Sequence, residues 1–91
     1  MEQFTIRQAT ERIRAMELCF DTLQEAAANH PAAISEDAAL RELLQRLTQY
    51  YECGLWLQDY ELDEKGLLPQ SLKRGVLAQD AVYDFLDRLK G

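Results

Sequence analysis

The sequence predicts an all-α protein: an antiparallel helical hairpin of two long helices, followed by one or two short C-terminal helices. Three observations support this prediction. Apolar residues recur every three or four positions, which places them on one side of a helix. The first two such stretches are separated by only about five residues, which is typical of antiparallel neighbours. No stretch alternates apolar and polar residues as a half-buried strand does.

The first helix is predicted from a stripe of apolar residues that covers about 30 Å at 1.5 Å per residue. Thr5 followed by Gln8 matches a capping box, in which the hydroxyl and the amide each satisfy an unpaired backbone N–H. We therefore expect the helix to begin at Thr5. Pro31 ends it, because proline disfavours helical geometry at the residue before it. The stripe consists of Ile6, Ala9, Ile13, Met16, Phe20, Leu23 and Ala27.

The remaining helices follow from the same spacing. Ser35 is a suitable N-cap for a second helix, whose apolar residues are Leu40, Leu43, Leu47 and Tyr50. Gly54 costs about 1 kcal/mol inside a helix, so a break is predicted there. A short third helix over residues 55–65 is expected to end at Gly66. A last helix is predicted from about Gln79 to Lys90, after a loop or single helical turn at 72–77.

Length and charge set limits on the class of protein. A chain of 91 residues forms one domain, here 1–91. The net charge of -6 disfavours nucleic acid and anionic membrane surfaces as partners. No apolar run approaches the ~18 residues that span a bilayer, and the first residues do not resemble a signal peptide. We therefore expect a cytoplasmic protein, in which Cys19 and Cys53 are partly buried free thiols rather than a disulfide.

No motif points to catalysis, a cofactor or a metal. The acidic segment 59–64 resembles a calcium loop only superficially, because an EF-hand counted from Asp59 requires glycine at loop position six and glutamate at twelve. Those positions hold Glu64 and Gln70. His30 is the only histidine and lies in a turn, so a histidine-dependent triad is not expected. The sequence favours a protein that is not an enzyme.

The basic Lys73-Arg74-Gly75 segment has two interpretations. Two cations beside a glycine could hold a phosphate, but the surrounding residues lack the frame of a P-loop. The alternative is an internal role. The chain reverses between the acidic and basic segments, so we expect Asp59 or Glu61 to contact Lys73 or Arg74.

The C-terminal half carries a recognisable pattern in residues 50–61, 64–69, 72–77 and 80–83. These read YYECGLWLQDYE, EKGLLP, LKRGVL and DAVY. The pattern resembles a bacterial family of small proteins, domain of unknown function 4298. Cys53 and Ala78 stand where that family usually has serine. The resemblance implies a helical fold and supplies no activity.

Two classes of function are consistent with the sequence. The first is a non-catalytic protein-interaction module that self-associates, as a dimer, or binds another protein. Its candidate interaction surface comprises Trp56, Asp59, Tyr60, Glu61, Lys73, Arg74, Gly75 and Tyr83. The second class is a small ligand- or metal-binding protein or enzyme that uses the acidic segment 59–64 and Lys73-Arg74. We favour the first, and we expect part of the long stripe on the first helix to meet another copy.

Overall fold

A computed structural model describes the backbone of residues 2–78 and 80–90 and the side chains of residues 5–78 and 80–89. Within this part of the chain the structure is all-α and contains no strand. The elements are α1 (Glu2–Asn29), α2 (Ala33–Glu36), α3 (Ala38–Glu52), α4 (Leu55–Glu64), a 3-10 turn (Gly75–Leu77) and α5 (Ala81–Lys90). The predicted fold class is confirmed.

The two long helices form the predicted antiparallel hairpin. The Cys19 thiol of α1 donates a hydrogen bond to the carbonyl of Leu43, near the start of α3, at 3.1 Å. Arg12, two turns earlier on α1, shares a carboxylate partner with Tyr50 near the end of α3. Residue numbers along α1 therefore decrease as those along α3 increase, so the two helices run antiparallel. The short α2 lies in the connection and buries Ile34.

Both predicted N-caps are wrong. Helix α1 begins at Glu2, so Thr5 lies inside it rather than before it. Helix α3 is capped by Asp37, whose carboxylate accepts from the backbone N–H of Ala39 at 2.8 Å and of Leu40 at 3.3 Å. Ser35 instead belongs to α2 and bonds the carbonyl of Ala32. Aspartate and serine are comparable N-caps, and so composition alone does not choose between them.

Two glycines delimit α4 as predicted. Gly54 adopts φ +97° directly after α3, and Gly66 adopts φ +72° after α4. Both angles are in the left-handed region that residues with a Cβ disfavour. At the second, Leu67 N–H bonds the carbonyl of Leu62 at 3.1 Å, and Gly66 N–H bonds that of Asp63 at 2.9 Å. This pair of hydrogen bonds is a Schellman motif, which satisfies carbonyls at a helix end.

The C-terminal segment folds back on the hairpin. The predicted turn within 72–77 is the 3-10 turn, which contacts α1, α4 and α5. Helix α5 follows Asp80, whose φ is +72° and whose carbonyl accepts from Asp84 N–H at 2.8 Å. Gln79, where the last helix was predicted to begin, lies outside the described residues.

The apolar stripe of α1 is largely covered within one copy of the chain. Ala9, Ile13 and Leu23 have no exposed surface, and Phe20 packs edge-on against Phe85 of α5 with ring centroids 5.4 Å apart. Met16 is only partly buried. Most of the stripe is therefore buried within one chain, against α3 and the C-terminal segment, and the contact of part of it with another copy stays a prediction. None of the helices in the described residues is long and apolar enough to cross a membrane.

Candidate functional site

Asp59 is the most buried charged group among the described residues. Its side chain has no exposed surface, although α4 as a whole lies at the edge of the hairpin. Oδ2 accepts hydrogen bonds from Arg12 Nε at 2.9 Å and from the Tyr50 hydroxyl at 2.7 Å. Oδ1 accepts from Arg12 Nη2. The Arg12–Asp59–Tyr50 network thus joins α1, α3 and α4 through one carboxylate.

The surroundings of Arg12 and Tyr50 favour a charged guanidinium and a neutral phenol. The side-chain hydrogen bond with Asp59 raises the pKa of the Arg12 guanidinium. Burial, and then the hydrogen bond with Asp59, raise the pKa of Tyr50 well above its ordinary value. The tyrosine therefore stays a neutral donor across the physiological range. A buried carboxylate with a bidentate arginine and a phenol as partners is a satisfied structural group.

A second buried carboxylate holds the 3-10 turn. Glu17 is 6% exposed, and its Oε2 accepts from the backbone N–H of Val76 at 3.0 Å. Gly75 lies so close that a Cβ built on it would be 2.5 Å from Glu17 Oε1. The Trp56 indole N–H donates to the carbonyl of Val76 at 2.8 Å. The backbone of Val76 thus makes two hydrogen bonds, one with Glu17 of α1 and one with Trp56 of α4.

Arg74 organises the irregular segment before that turn. Its Nε donates to Asp63 Oδ1 at 2.5 Å. Its two terminal nitrogens reach four backbone carbonyls, those of Leu68, Pro69, Gln70 and Leu72. One side chain therefore satisfies carbonyls that no helix or strand satisfies.

The predicted joint between acidic and basic segments exists, but through different residues. Lys73 pairs with Asp21 of α1 at 2.9 Å, and the side-chain hydrogen bond raises the pKa of the lysine. Arg74 pairs with Asp63. The predicted pairing of Asp59 or Glu61 with these bases is wrong, since Lys73 and Arg74 bind Asp21 and Asp63, and the buried Asp59 binds Arg12 and Tyr50.

The predicted aromatic residues separate into two regions. Trp56 stacks on Tyr60 with centroids 5.1 Å apart, and Tyr51 packs against Trp56 at 5.3 Å. Tyr83 lies on α5 and is 53% exposed. Tyr83 belongs to none of the aromatic pairs found among the described residues.

The predicted surface residues therefore differ in accessibility. Asp59 is buried, and Arg74 and Trp56 are partly buried and bonded internally. Glu61, Lys73, Gly75 and Tyr83 are exposed, and Tyr60 is intermediate. No group of three or more His, Cys, Asp or Glu side chains suited to a metal is found in the described part of the chain.

Three residues of the site were missed from the sequence: Arg12, Glu17 and Tyr50. No inward contact was predicted for Arg12 or Glu17, although both flank the apolar stripe of α1 and bond towards the interior. The missed signal is their position one residue from Ile13 and Met16, which puts them at the border of the buried face. The sequence placed Tyr50 correctly in the core but did not predict its hydrogen bond with Asp59.

Among the side chains that the structure describes on α1, the most exposed large apolar one is Leu18, which lies away from this network. Leu18 is 70% exposed in the middle of the helix. On one side is a groove of about 280 Å³ between α1 and α3, lined in part by Ala15, Met16 and Leu43. On the other side is a groove of about 330 Å³, lined in part by Arg14 and Lys73. Leu18 thus forms a ridge between two shallow grooves.

The fold and its internal contacts define a small helical domain in which two buried carboxylates, Asp59 and Glu17, join separate elements. The family model Domain of unknown function (DUF4298) matches residues 13–91, and the chain belongs to this family. No curated protein matches the chain, and neither does any solved structure.

Proposed function

We propose that the protein is a non-catalytic interaction module that self-associates. The observation that supports this function is the contrast between its polar and apolar groups. The buried carboxylates of Asp59 and Glu17 have partners within the chain, as does Arg74. Leu18, by contrast, is left in solvent in the middle of the longest helix.

The contacts of the basic segment argue against the alternative of a ligand-binding protein. An anion at Lys73 or Arg74 would compete with Asp21 or Asp63 for the same donors. For Arg74 it would also release the backbone carbonyls that the guanidinium satisfies. The part-buried carbonyl of Leu72 would lose its side-chain partner, so an internal role is the better interpretation.

Of the predicted surface, Lys73 is the residue that borders the exposed face of α1. We retain it at the edge of the proposed contact surface. Glu61 and Tyr83 are exposed on other helices and remain candidates for a separate contact with another protein.

Sedimentation velocity over a concentration series tests the proposed function. We expect the weight-average sedimentation coefficient to rise from the monomer value towards that of a dimer between about 5 and 300 µM, the range in which weak dimers form. A protein that remains monomeric at about 300 µM would contradict self-association.

A further inference from the structure

A groove of about 260 Å³ lies between α1 and α3, beside the first residue of α4, and is named here the Arg12–Arg46 groove. It is lined in part by Arg12, Met16, Arg46, Gln49 and Leu55. Of the lining residues that the structure describes, the two charged ones, Arg12 and Arg46, are both basic. The chain as a whole has 16 acidic and 10 basic residues, so this groove differs in charge from the average surface.

Arg12 keeps donors that its ion pair does not use. A guanidinium has five N–H groups, and Asp59 accepts from Nε and from Nη2. Neither hydrogen of Nη1 has an acceptor among the hydrogen bonds of the described residues. The side chain is 25% exposed, so an anion in the groove can reach these donors while Asp59 keeps the guanidinium fixed.

Arg74 shows why this difference matters. Its Nε donates to Asp63, and its two terminal nitrogens donate to four backbone carbonyls. An anion at Arg74 would have to displace partners that the fold already supplies. An anion at Arg12 would displace none, because it takes the side of the guanidinium that Asp59 leaves open.

Arg46 supplies a second cation that is held only loosely. Its Nη2 lies 3.4 Å from Glu42 Oε1, whereas charge-assisted hydrogen bonds are about 2.7–2.9 Å long. The two side chains are 62% and 64% exposed, and exposed pairs of this kind stabilise little. Arg46 can therefore turn to a ligand at low cost. Gln49, one turn further along α3, adds an amide N–H donor.

We propose that the Arg12–Arg46 groove binds a small organic monocarboxylate. The carboxylate accepts from Arg12 Nη1 and from Arg46, and the apolar body of the ligand lies on Met16 and Leu55. The net charge of -6 repels an anion in proportion to its charge, which favours a single carboxylate over a phosphate dianion. This site is independent of the proposed self-association and does not involve the Lys73-Arg74 segment.

The size of the groove sets the expected affinity. Pockets for drug-sized ligands have volumes of about 300–1,000 Å³, and this groove is slightly below that range. Because the charge of Arg12 is already balanced by Asp59, Arg46 supplies most of the net attraction. We therefore expect a dissociation constant of about 1–10 mM for a carboxylate on one aromatic ring.

A nuclear magnetic resonance titration of the full ¹⁵N-labelled chain tests the site, with sodium benzoate as the probe at constant ionic strength. We expect saturable shifts centred on the groove, including the side-chain amide of Gln49. Benzamide has the same shape without the charge and should bind at least about tenfold more weakly. Acetate has the charge without the ring and should bind at least about threefold more weakly.

Two variants with the same change in net charge locate the binding. Arg46→Gln removes a cation from the groove and should raise the benzoate dissociation constant about three- to fivefold. Arg41→Gln is the matched control, since Arg41 is exposed on the same helix and does not line the groove. It should leave the constant unchanged. Both substitutions replace exposed side chains, and far-ultraviolet circular dichroism verifies that the variants are folded.

Each outcome decides for or against the site. An absence of shifts at the groove with about 50 mM benzoate overturns it. Equal weakening by Arg46→Gln and Arg41→Gln also overturns it, because general electrostatic attraction would then explain the binding. Benzamide binding as tightly as benzoate, or inorganic phosphate binding more tightly, overturns the choice of a monocarboxylate. Benzoate binding that Arg46→Gln alone weakens supports the site, whether or not the protein self-associates.

Discussion

Replacing Asp59 by asparagine should destabilise the protein far more than any exposed acidic substitution. The asparagine keeps the shape of the side chain but removes the charge that Arg12 requires. Breaking a buried ion pair from one side costs about 3–5 kcal/mol. The Arg12 side chain is 25% exposed, so part of its charge can return to water, and we expect about 2–4 kcal/mol.

That loss is a large fraction of the total. A chain of 91 residues is typically stable by about 5–14 kcal/mol. With a denaturant slope of about 1 kcal/mol per molar urea, the unfolding midpoint should fall by about 2–4 M. Urea unfolding followed by far-ultraviolet circular dichroism measures this shift.

Two further variants keep the test decisive even if the asparagine variant does not fold. Tyr50→Phe removes one hydrogen bond to Asp59 and leaves the ion pair intact, so it should cost about 1.5 kcal/mol. Glu61→Gln is the control on the same helix and should change stability by less than about 0.5 kcal/mol. If Asp59→Asn and Tyr50→Phe both unfolded at the wild-type midpoint, the network would not hold the three helices together.

Three other measurements test separate features. Gly75→Ala should cost about 1 kcal/mol, because its Cβ would displace the Glu17 carboxylate and disturb the hydrogen bond of that carboxylate with Val76 N–H, and a smaller loss in the background of Glu17→Ala would verify the clash. The raised pKa of Tyr50 stabilises the folded state fully below the unfolded pKa of about 10. The stability advantage of the wild type over Tyr50→Phe should therefore decline as pH rises above about 10, and an advantage constant with pH would contradict this. An aromatic disulfide reagent should modify exposed Cys53 quickly and Cys19 only on unfolding, because Cys19 is buried and burial raises its pKa; equal rates would contradict the burial.

The four longer helices were predictable from the sequence because each has a strong local signal, whereas the short α2 was not predicted. Apolar spacing located α1, α3 and α5, and Gly54 and Gly66 delimited α4. The errors arose where two local signals compete, as between Ser35 and Asp37 for the cap of α3. Both can accept from an unpaired N–H, and the connection between helices decides which is used.

The partners within the site were not predictable by the same means. Arg12 and Asp59 are 47 positions apart and Glu17 and Val76 are 59 apart, so no local spacing relates them. Which acid meets which base depends on how α4 rotates against the hairpin. Sequence reasoning placed acids and bases near one another but expected Asp59 to contact Lys73 or Arg74, whereas its basic partner is Arg12. The burial of the thiols could not be predicted from local sequence either. Both were expected to be partly buried, but Cys53 is exposed.

The four carbonyls held by Arg74 restrict how the segment between α4 and the 3-10 turn can vary. Surface loops usually accept insertions, because their backbone groups are solvated. Here a guanidinium of fixed size spans residues 68–72, so one inserted residue would carry some carbonyls beyond its reach. Lysine could not replace Arg74, since an ammonium lacks the planar fork of a guanidinium that reaches several acceptors. This stretch therefore has the length constraint of a secondary-structure element, although it has no regular structure of its own.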